Sequence, residues 1–311
     1  MNDTMHAISQ DELGGPEVLK HVTVARPEPG IGEILVCVHA AGVNPADVLN
    51  RETGTFAGQP PFVLGWDVSG TVEATGPGVT IHRPGDAVFG MLPFPHGHGA
   101  YAQYAVGPAR AFVPKPDRFD HVQAAAVPLA GLTAWQALVD TARIGEGSRV
   151  LVNGASGGVG HLAVQIAKAH GAYVIAVAST ANTDLVRALG ADEVVDYTTT
   201  DITQATDSLD VVLETVGGDY PAKALDVLKP GGILVSTLPH TLADIHDDAR
   251  KREVRLAGLF VEADGAGMTA LAELARAGTL TPTIAATFPL EQAATAQSTK
   301  SGPGKTVLTP A

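Results

Sequence analysis

The stretch LVNGASGGVGHLAVQ (151–165) decides how the rest of this sequence is interpreted. An apolar, strand-like run ends in a turn that contains four glycines, and a helix-like run follows. Small residues between a strand and a helix let the backbone come close to a pyrophosphate, whose charge the free N–H groups at the helix N-terminus stabilise. We therefore expect the turn to bind a dinucleotide through Ser156, Gly157, Gly158 and Val159.

Short runs rich in Val, Ile and Leu alternate with helical patterns around this turn. Their near-continuous hydrophobicity is typical of parallel strands that are covered on both faces. The alternation predicts a doubly wound sheet, with strands at 149–155, 173–179, 193–197, 209–216 and 232–238. Up to about residue 116 the pattern is different, because short β-like runs are separated by Gly and Pro turns, which predicts a compact, mostly β domain.

The end of the second predicted strand bears on which dinucleotide binds. An Asp or Glu there would bind the adenosine ribose of NAD, whereas this sequence has Ser179. A hydroxyl leaves space for a 2′-phosphate and donates to it, and Tyr197 at the end of the next strand adds a second hydroxyl. We therefore expect NADP(H). The preference is expected to be modest, because no Lys or Arg adjoins Ser179 and Arg187 lies two turns into the following helix.

Composition excludes several classes of function. The 311 residues include 20 Lys and Arg against 33 Asp and Glu, a net charge of −13, which argues against binding to nucleic acid. Cys37 is the only cysteine, so neither an intrachain disulfide nor a four-cysteine zinc site forms. The sequence has no signal-peptide pattern, and no apolar run approaches the ~20 residues that span a bilayer, so a cytoplasmic protein without a membrane segment is expected.

A series of motifs along nearly the whole chain carries a family resemblance. In chain order they are GGPEVL (14–19), PGIGEILVCVHAAGVNPAD (29–47), GWDVSGTVEATGPGV (65–79), PGDAVFG (84–90), AYAQYAV (100–106), AAAVPLAGLTAWQAL (124–138), GASGGVGHLAVQIAK (154–168), LGADEVVDY (189–197) and PGGILV (230–235). The sequence resembles the medium-chain dehydrogenase/reductase superfamily, in particular its zinc-independent NADPH:quinone oxidoreductase branch.

The resemblance implies an α/β protein in which a GroES-like, mostly β catalytic domain is joined to a Rossmann domain, with the active site in the cleft between them. We assign residues 1–120 and 266–311 to the GroES-like domain and residues 121–265 to the Rossmann domain. The strand-like KTVL (305–308) is thereby placed on the β domain.

A catalytic zinc site is not expected. Zinc-dependent members of the superfamily carry a Cys in the GVxxxD loop and a Gly-His-Glu in the next motif, but this sequence has Asn44 and Gly65-Trp66-Asp67. Without a thiolate and an imidazole the usual zinc cage does not assemble. His96 and His98 in a Gly-rich loop have no evident third ligand, so we interpret them as loop residues.

Without a Lewis acid, the expected reaction is hydride addition to an activated carbon. Members similar to this sequence reduce quinones, or the C=C bond of α,β-unsaturated carbonyls, with NADPH. The resemblance places Asn44 against the nicotinamide ribose and substrate and Thr133 at the nicotinamide end, although Asn44 also suits an Asx turn before Pro45. Four residues at the C-terminal ends of predicted strands should line the nicotinamide pocket, namely Val216, Gly217, Leu238 and Phe260.

The proton donor is left open. Enoyl-thioester reductases of this superfamily use a Tyr shortly after the Asn loop, where this sequence has Phe56. Tyr101 is the candidate replacement, with Tyr104 beside it, although alternation in that segment also predicts strand packing. Water is the remaining donor.

Three functions remain open at this point: a quinone or enone reductase, a pathway-specific enoyl or ketone reductase, and a nucleotide-binding protein without turnover. All three take a small-molecule ligand. By analogy with two-domain relatives a homodimer is expected, with GGILVST (231–237) as the candidate edge strand.

Overall fold

The computed structural model describes residues 3–299 and 302–310. Its strands are β1 (Thr4–Gln10), β2 (Lys20–Ala25), β3 (Glu33–Gly42), β4 (Phe62–Val63), β5 (Asp67–Thr75), β6 (Ala87–Met91), β7 (Tyr104–Pro108), β8 (Phe112–Pro114), β9 (Arg149–Asn153), β10 (Tyr173–Ala178), β11 (Glu193–Asp196), β12 (Leu209–Glu214), β13 (Leu228–Ser236), β14 (Arg255–Gly258), β15 (Ile284–Pro289) and β16 (Lys305–Thr309). Its α-helices are α1 (Pro45–Thr53), α2 (His121–Ala125), α3 (Pro128–Trp135), α4 (Gly160–Ala169), α5 (Thr183–Ala188), α6 (Ile202–Ala205), α7 (Tyr220–Val227), α8 (His246–Lys251), α9 (Gly265–Ala277) and α10 (Ala293–Ser298).

The described residues form two compact units. Unit 1 contains the chain up to Leu132, the segment Glu262–Ala277 and the chain from Thr281 onward, whereas unit 2 contains Thr133–Val261 and Gly278–Leu280. Residues 121–132, which we assigned to the Rossmann domain, lie in unit 1 because α2 packs against β3 and β5. The outermost residues of the assigned GroES-like domain, 1 and 311, lie outside the described residues.

Unit 1 is built on two sheets. The seven-stranded sheet has the order β15-β16-β3-β5-β6-β8, with β7 also paired to β3, and the three-stranded sheet has the order β2-β1-β4. Strand β16 is antiparallel to β3, where Val307 faces Gly42 and Leu308 faces Ala41. The C-terminal segment KTVL therefore returns to the β unit, as the resemblance implied.

Unit 2 is a six-stranded parallel sheet in the order β11-β10-β9-β12-β13-β14. All five strands that the sequence predicted here are present as β9–β13. Their apolar side chains form one buried cluster together with side chains of α7 and α8, as expected of strands whose faces are covered by helices. The α/β fold class is thus confirmed.

The predicted edge strand of this sheet was wrong. GGILVST lies in β13, which is paired on both sides, to β12 and to β14. The edge on that side is β14 (Arg255–Gly258), whose sequence RLAG has a single large apolar residue and so lacks the apolar run of the other strands. Among the described helices, none combines the length and apolar character needed to cross a membrane.

Candidate active site

The glycine-rich turn of unit 2 joins the end of β9 to the start of α4. Gly154 has a φ of +73°, in the left-handed region that favours glycine. A Cβ on Gly160 would lie 2.2 Å from the carbonyl oxygen of Gly154, so no larger residue fits at the start of the helix. These two glycines bring the strand and the helix closer together than side chains would allow.

The same turn presents unpaired backbone donors. The N–H of Gly157 donates to the Gly154 carbonyl at 2.9 Å, but the N–H groups of Ser156, Gly158 and Val159 find no acceptor in the described part of the chain. They lie directly before α4, a ten-residue helix whose N-terminal end carries partial positive charge. This cradle fits a pyrophosphate, so the residues present are compatible with a dinucleotide.

The turn also lies at the point where the order of the strands in the sheet reverses. Strand β10 lies on one side of β9 and β12 on the other, which creates a crevice at the carboxyl ends of these strands. The sequence-predicted residues of the pocket follow these ends: Ser179 after β10, Tyr197 after β11, Val216 and Gly217 after β12, Leu238 after β13 and Phe260 after β14. The Phe260 side chain is 63% exposed and Tyr197 and Val216 are about half exposed, so this edge presents uncovered aromatic and apolar surface.

Glu214, which the sequence analysis missed, organises the centre of this edge. Its buried carboxylate accepts a hydrogen bond from Asn153 Nδ2 at 2.6 Å and two more from the N–H groups of Val216 and Gly217. The loop after β12 is therefore fixed against the end of β9. The signal in the sequence was a charged residue within the apolar run LDVVLETV.

Asn182, also missed, connects the glycine-rich turn to the end of β10. Its Nδ2 donates to Ser156 Oγ at 3.1 Å and to Ser179 Oγ at 3.3 Å. The hydroxyls of both predicted cofactor-binding serines are thus held by one amide. A short polar side chain in a loop carries no recognisable motif, and for this reason the sequence alone did not single it out.

A carboxylate, that of Asp196, lies close to Ser179 at the neighbouring ends of β10 and β11. The Thr180 hydroxyl donates to Asp196, as does the Thr198 hydroxyl at 2.7 Å, and these bonds lower the pKa of the Asp196 carboxyl. Arg187 is exposed on α5. The negative charge of Asp196 opposes a second negative charge nearby, which bears on the choice between NADP and NAD.

In unit 1, the Asn44 side chain belongs to a buried polar network. Its Nδ2 donates to Asp67 Oδ2 at 2.9 Å, and its Oδ1 accepts from Lys305 Nζ at 2.5 Å. Lys305 Nζ also donates to the carbonyl of Val43 and to Asp67 Oδ2. The loop that holds Asn44 and the start of β5 therefore meet around an ammonium group. The described residues contain no cluster of three His, Cys, Asp or Glu that could hold a metal.

Tyr101 does not suit the predicted role of proton donor. Its side chain has no exposed surface, and burial raises the pKa of its hydroxyl well above the usual value. The hydroxyl is close enough to Asp47 and Gln297 to be influenced by them, yet it makes no hydrogen bond of good geometry. The structure favours the alternative prediction of strand packing for this segment, because Tyr104 lies in β7 and its ring packs under the Arg26 guanidinium.

The remaining candidates occupy ordinary positions. Thr133 is buried in α3. Phe56 packs against Trp66 and Phe94, with ring centroids 6.1 and 4.7 Å away. His98 Nδ1 is 2.8 Å from the carbonyl oxygen of Val63, as befits a loop residue.

Two family models match this chain. The alcohol dehydrogenase GroES-like domain matches residues 30–117, and a model described as a zinc-binding dehydrogenase matches residues 189–308. The first model lies in unit 1, and the second spans most of the parallel sheet and the C-terminal strands. The second model is named for zinc binding, but this chain has Asn44 and Trp66 at the two positions where zinc-dependent members carry Cys and His.

Several relatives match most of the chain. Quinone oxidoreductase of Homo sapiens is 32% identical over 311 residues, covering 94% of this chain and 92% of that protein. The mitochondrial NAD(P)H oxidoreductase RTN4IP1 of Mus musculus is 34% identical over 84% of this chain and 76% of that protein. The solved quinone oxidoreductase from Coxiella burnetii superposes with a TM-score of 0.89 at 34% identity, covering 98% of this chain and 99% of that chain. The chain therefore belongs to the medium-chain dehydrogenase/reductase superfamily, in its zinc-independent quinone oxidoreductase branch.

Proposed function

We propose that this protein transfers a hydride from NADPH to a quinone, or to the activated C=C bond of an α,β-unsaturated carbonyl, without zinc. The observation that carries the proposal is the cradle of unpaired N–H groups at Ser156, Gly158 and Val159, at the point where the strand order of the parallel sheet reverses. The relatives named above are quinone and NAD(P)H oxidoreductases, which supports the same class of reaction.

The chain's own groups supply binding and order at unit 2. Ser156, Gly158 and Val159 hold the diphosphate through backbone donors, while Asn182 orients the Ser156 and Ser179 hydroxyls. Val216 and Phe260 offer apolar surface for a flat ring. When bound, the nicotinamide supplies a hydride to the substrate.

NADPH rather than NADH is proposed because Ser179 stands where a carboxylate would otherwise bind the ribose. The nearby Asp196 carboxylate keeps the preference modest, since its charge repels a 2′-phosphate.

Water is proposed as the proton source. Hydride addition to an enone leaves negative charge on the carbonyl oxygen, which takes up a proton from solvent. The two side chains that would compete for this role do not suit it, because Phe56 has no proton to give and Tyr101 is wholly buried. Acceptors whose reduced form is stable as an anion, such as quinones, therefore fit this site best.

The proposal extends to organisation. Unit 1 would act as the substrate-binding GroES-like domain and unit 2 as the dinucleotide-binding domain, in a cytoplasmic homodimer. A light-scattering mass near the 31.9 kDa of one chain would contradict the dimer.

Absorbance at 340 nm tests the function directly. NADPH and NADH are each mixed with 1,4-benzoquinone, 9,10-phenanthrenequinone and a simple enone, with EDTA present throughout. NADPH-preferring oxidation that survives EDTA supports the proposal. Oxidation of NADPH by none of the acceptors, despite measurable NADPH binding, contradicts it and favours a narrow pathway enzyme or a nucleotide-binding protein without turnover.

A matched pair of glycine variants ties the activity to the turn. Gly160→Ala should abolish NADPH binding, because its Cβ would lie 2.2 Å from the Gly154 oxygen. Gly145→Ala should bind normally, since a Cβ there meets no atom within 4 Å. Equal NADPH affinities in the two variants would place the cofactor elsewhere.

A further inference from the structure

The Lys305 ammonium is buried in unit 1 and is fully engaged there. The Lys305 residue is 3% exposed, and its Nζ donates to Val43 O at 2.9 Å, to Asn44 Oδ1 at 2.5 Å and to Asp67 Oδ2 at 3.3 Å. Taking an ammonium out of water is costly unless its three donors and its charge are all matched, and here they are. The Lys305 ammonium therefore belongs to a specific buried polar network of unit 1.

Asp67 completes the arrangement on the acidic side. It has no exposed surface, and its Oδ1 accepts from the N–H of Leu129 at 2.6 Å while its Oδ2 accepts from Asn44 and Lys305. A Cβ on Gly42 would lie 2.4 Å from Asp67 Oδ2, so the backbone of β3 is shaped to admit this carboxylate. The carboxylate and the ammonium thus neutralise each other inside the unit.

The consequence for Asn44 is a fixed amide. Lys305 donates to its oxygen and Asp67 accepts from its nitrogen, so a rotation that exchanges the two ends would place donor against donor and acceptor against acceptor. Asn44 also precedes α1, and its backbone N–H donates to Asp47 Oδ2 at 2.8 Å. The orientation of the amide and the start of the helix therefore depend on a lysine that lies 261 residues further along the chain.

We propose that Lys305 is a positioning residue for the reductase reaction, an internal cation that holds the Asn44 amide and the first turn of α1 in their working orientation. This rests on the proposed function for its catalytic consequence, but the binding of an ammonium at this point is a separate property of unit 1. Lys305 acts through the Asn44 amide, while Asp67 balances its charge.

Chemical rescue tests the internal cation without any enzyme assay. Lys305→Ala removes three methylene groups and the ammonium, which together correspond to propylammonium. The variant should lose about 10 °C in Tm, because Asp67 is left buried without its counter-ion. Propylammonium chloride should restore much of that loss, whereas equal concentrations of tetramethylammonium chloride, which has no N–H donors, should not.

Two controls make the rescue specific. Lys305→Met fills the space without the charge, so it should gain nothing from propylammonium. The wild-type protein should not respond either, because its site is already filled. A response of equal size in all three proteins would show a general salt effect and overturn the proposal.

Kinetics test the positioning role. Lys305→Met should lower kcat for quinone reduction by about 10- to 100-fold, the factor that corresponds to loss of a charge-assisted hydrogen bond. The Kd for NADPH, followed by its fluorescence, should change less than about twofold if the diphosphate cradle of unit 2 is intact. In an Asn44→Ala background the same Lys305→Met change should lower kcat less than about twofold, because the residue through which Lys305 acts is gone.

The outcomes separate the two proposals. A wild-type protein that reduces no acceptor refutes the proposed function, while the Tm rescue still decides whether the internal cation exists. If Lys305→Ala is insoluble, the positioning role is tested with Lys305→Met alone. A kcat of Lys305→Met equal to that of the wild type would overturn the positioning role. Full additivity of the Lys305 and Asn44 changes in kcat would overturn it as well.

Discussion

Asp47→Asn should change how the stability of unit 1 depends on pH. Asp47 lies in the first turn of α1 with no exposed surface, and burial raises the pKa of its carboxyl from 3.8 to about 7. The Asn44 N–H and the Lys305 ammonium favour the ionised form, whereas Asp67 opposes it. Burial is the largest of these effects, so the folded protein holds a proton here that the unfolded chain has released.

The direction of the effect follows from that extra proton. Between pH 3.8 and about 7 the folded state binds one proton more than the unfolded state at this site, so the free energy of unfolding falls as the pH rises. One pKa unit corresponds to about 1.4 kcal/mol, so the two units between pH 5 and 7 remove ~3 kcal/mol from the wild type. The contribution of Asp47 levels off near pH 8, about one unit above its pKa in the folded protein.

Asparagine is neutral in both states and keeps an oxygen to accept from the Asn44 N–H. The difference in unfolding free energy, Asp47→Asn minus wild type, should therefore rise by ~3 kcal/mol between pH 5 and pH 8. Urea unfolding in a Trp135→Phe background measures it, since the buried Trp66 of unit 1 then supplies all tryptophan fluorescence.

The control is Asp117→Asn, which removes an exposed carboxylate of the same unit. Its stability curve should run parallel to that of the wild type across the same range. If the Asp47→Asn curve also runs parallel, the carboxyl is ionised in the folded protein at pH 5 and the reasoning from burial is wrong.

Two further predictions concern unit 2. Asp196→Asn should lower the KM for NADPH about fivefold with little change in the KM for NADH, because one negative charge near the 2′-phosphate is gone. The control Asp184→Asn, on the exposed side of α5, should leave the ratio of the two KM values unchanged. If Asp196→Asn lowers the KM for NADH as much, Asp196 does not lie beside the 2′-phosphate. Glu214→Gln should destabilise unit 2 by ~1–3 kcal/mol, since one of the buried donors that it satisfies then meets a second donor. Urea unfolding followed by Trp135 fluorescence in a Trp66→Phe background measures this, with the exposed Glu146→Gln as control; a Glu214 variant as stable as its control would show that the carboxylate is dispensable.

Local patterns predicted most of the fold. The glycine turn and the five strands β9–β13 were visible because a parallel strand is a short apolar run and a phosphate cradle is a short glycine cluster. The edge strand β14 was missed because its sequence, RLAG, has only one large apolar residue.

The polar network was not predictable for a different reason. Lys305 and Asn44 are 261 positions apart, and Lys305 and Asp67 are 238 apart, so no sequence window contains them together. Asn44 was singled out through the family resemblance, but its partners became known only from the pairing of β16 with β3. Tyr101 likewise needed the structure, because burial is decided by the whole unit.

The position of β16 also has a consequence for biosynthesis. This strand fills the place between β15 and the Ala41–Gly42 end of β3, while almost all of unit 2 (133–261) is encoded upstream of it. On the ribosome, the nascent chain can complete the parallel sheet of unit 2 while the sheet of unit 1 still lacks β16. Until residues 305–309 have left the exit tunnel, the end of β3 is an open edge and Asp67 has no ammonium beside it. Gly42 and Asp67, although they precede unit 2 in the chain, are thus among the last residues to reach their final surroundings.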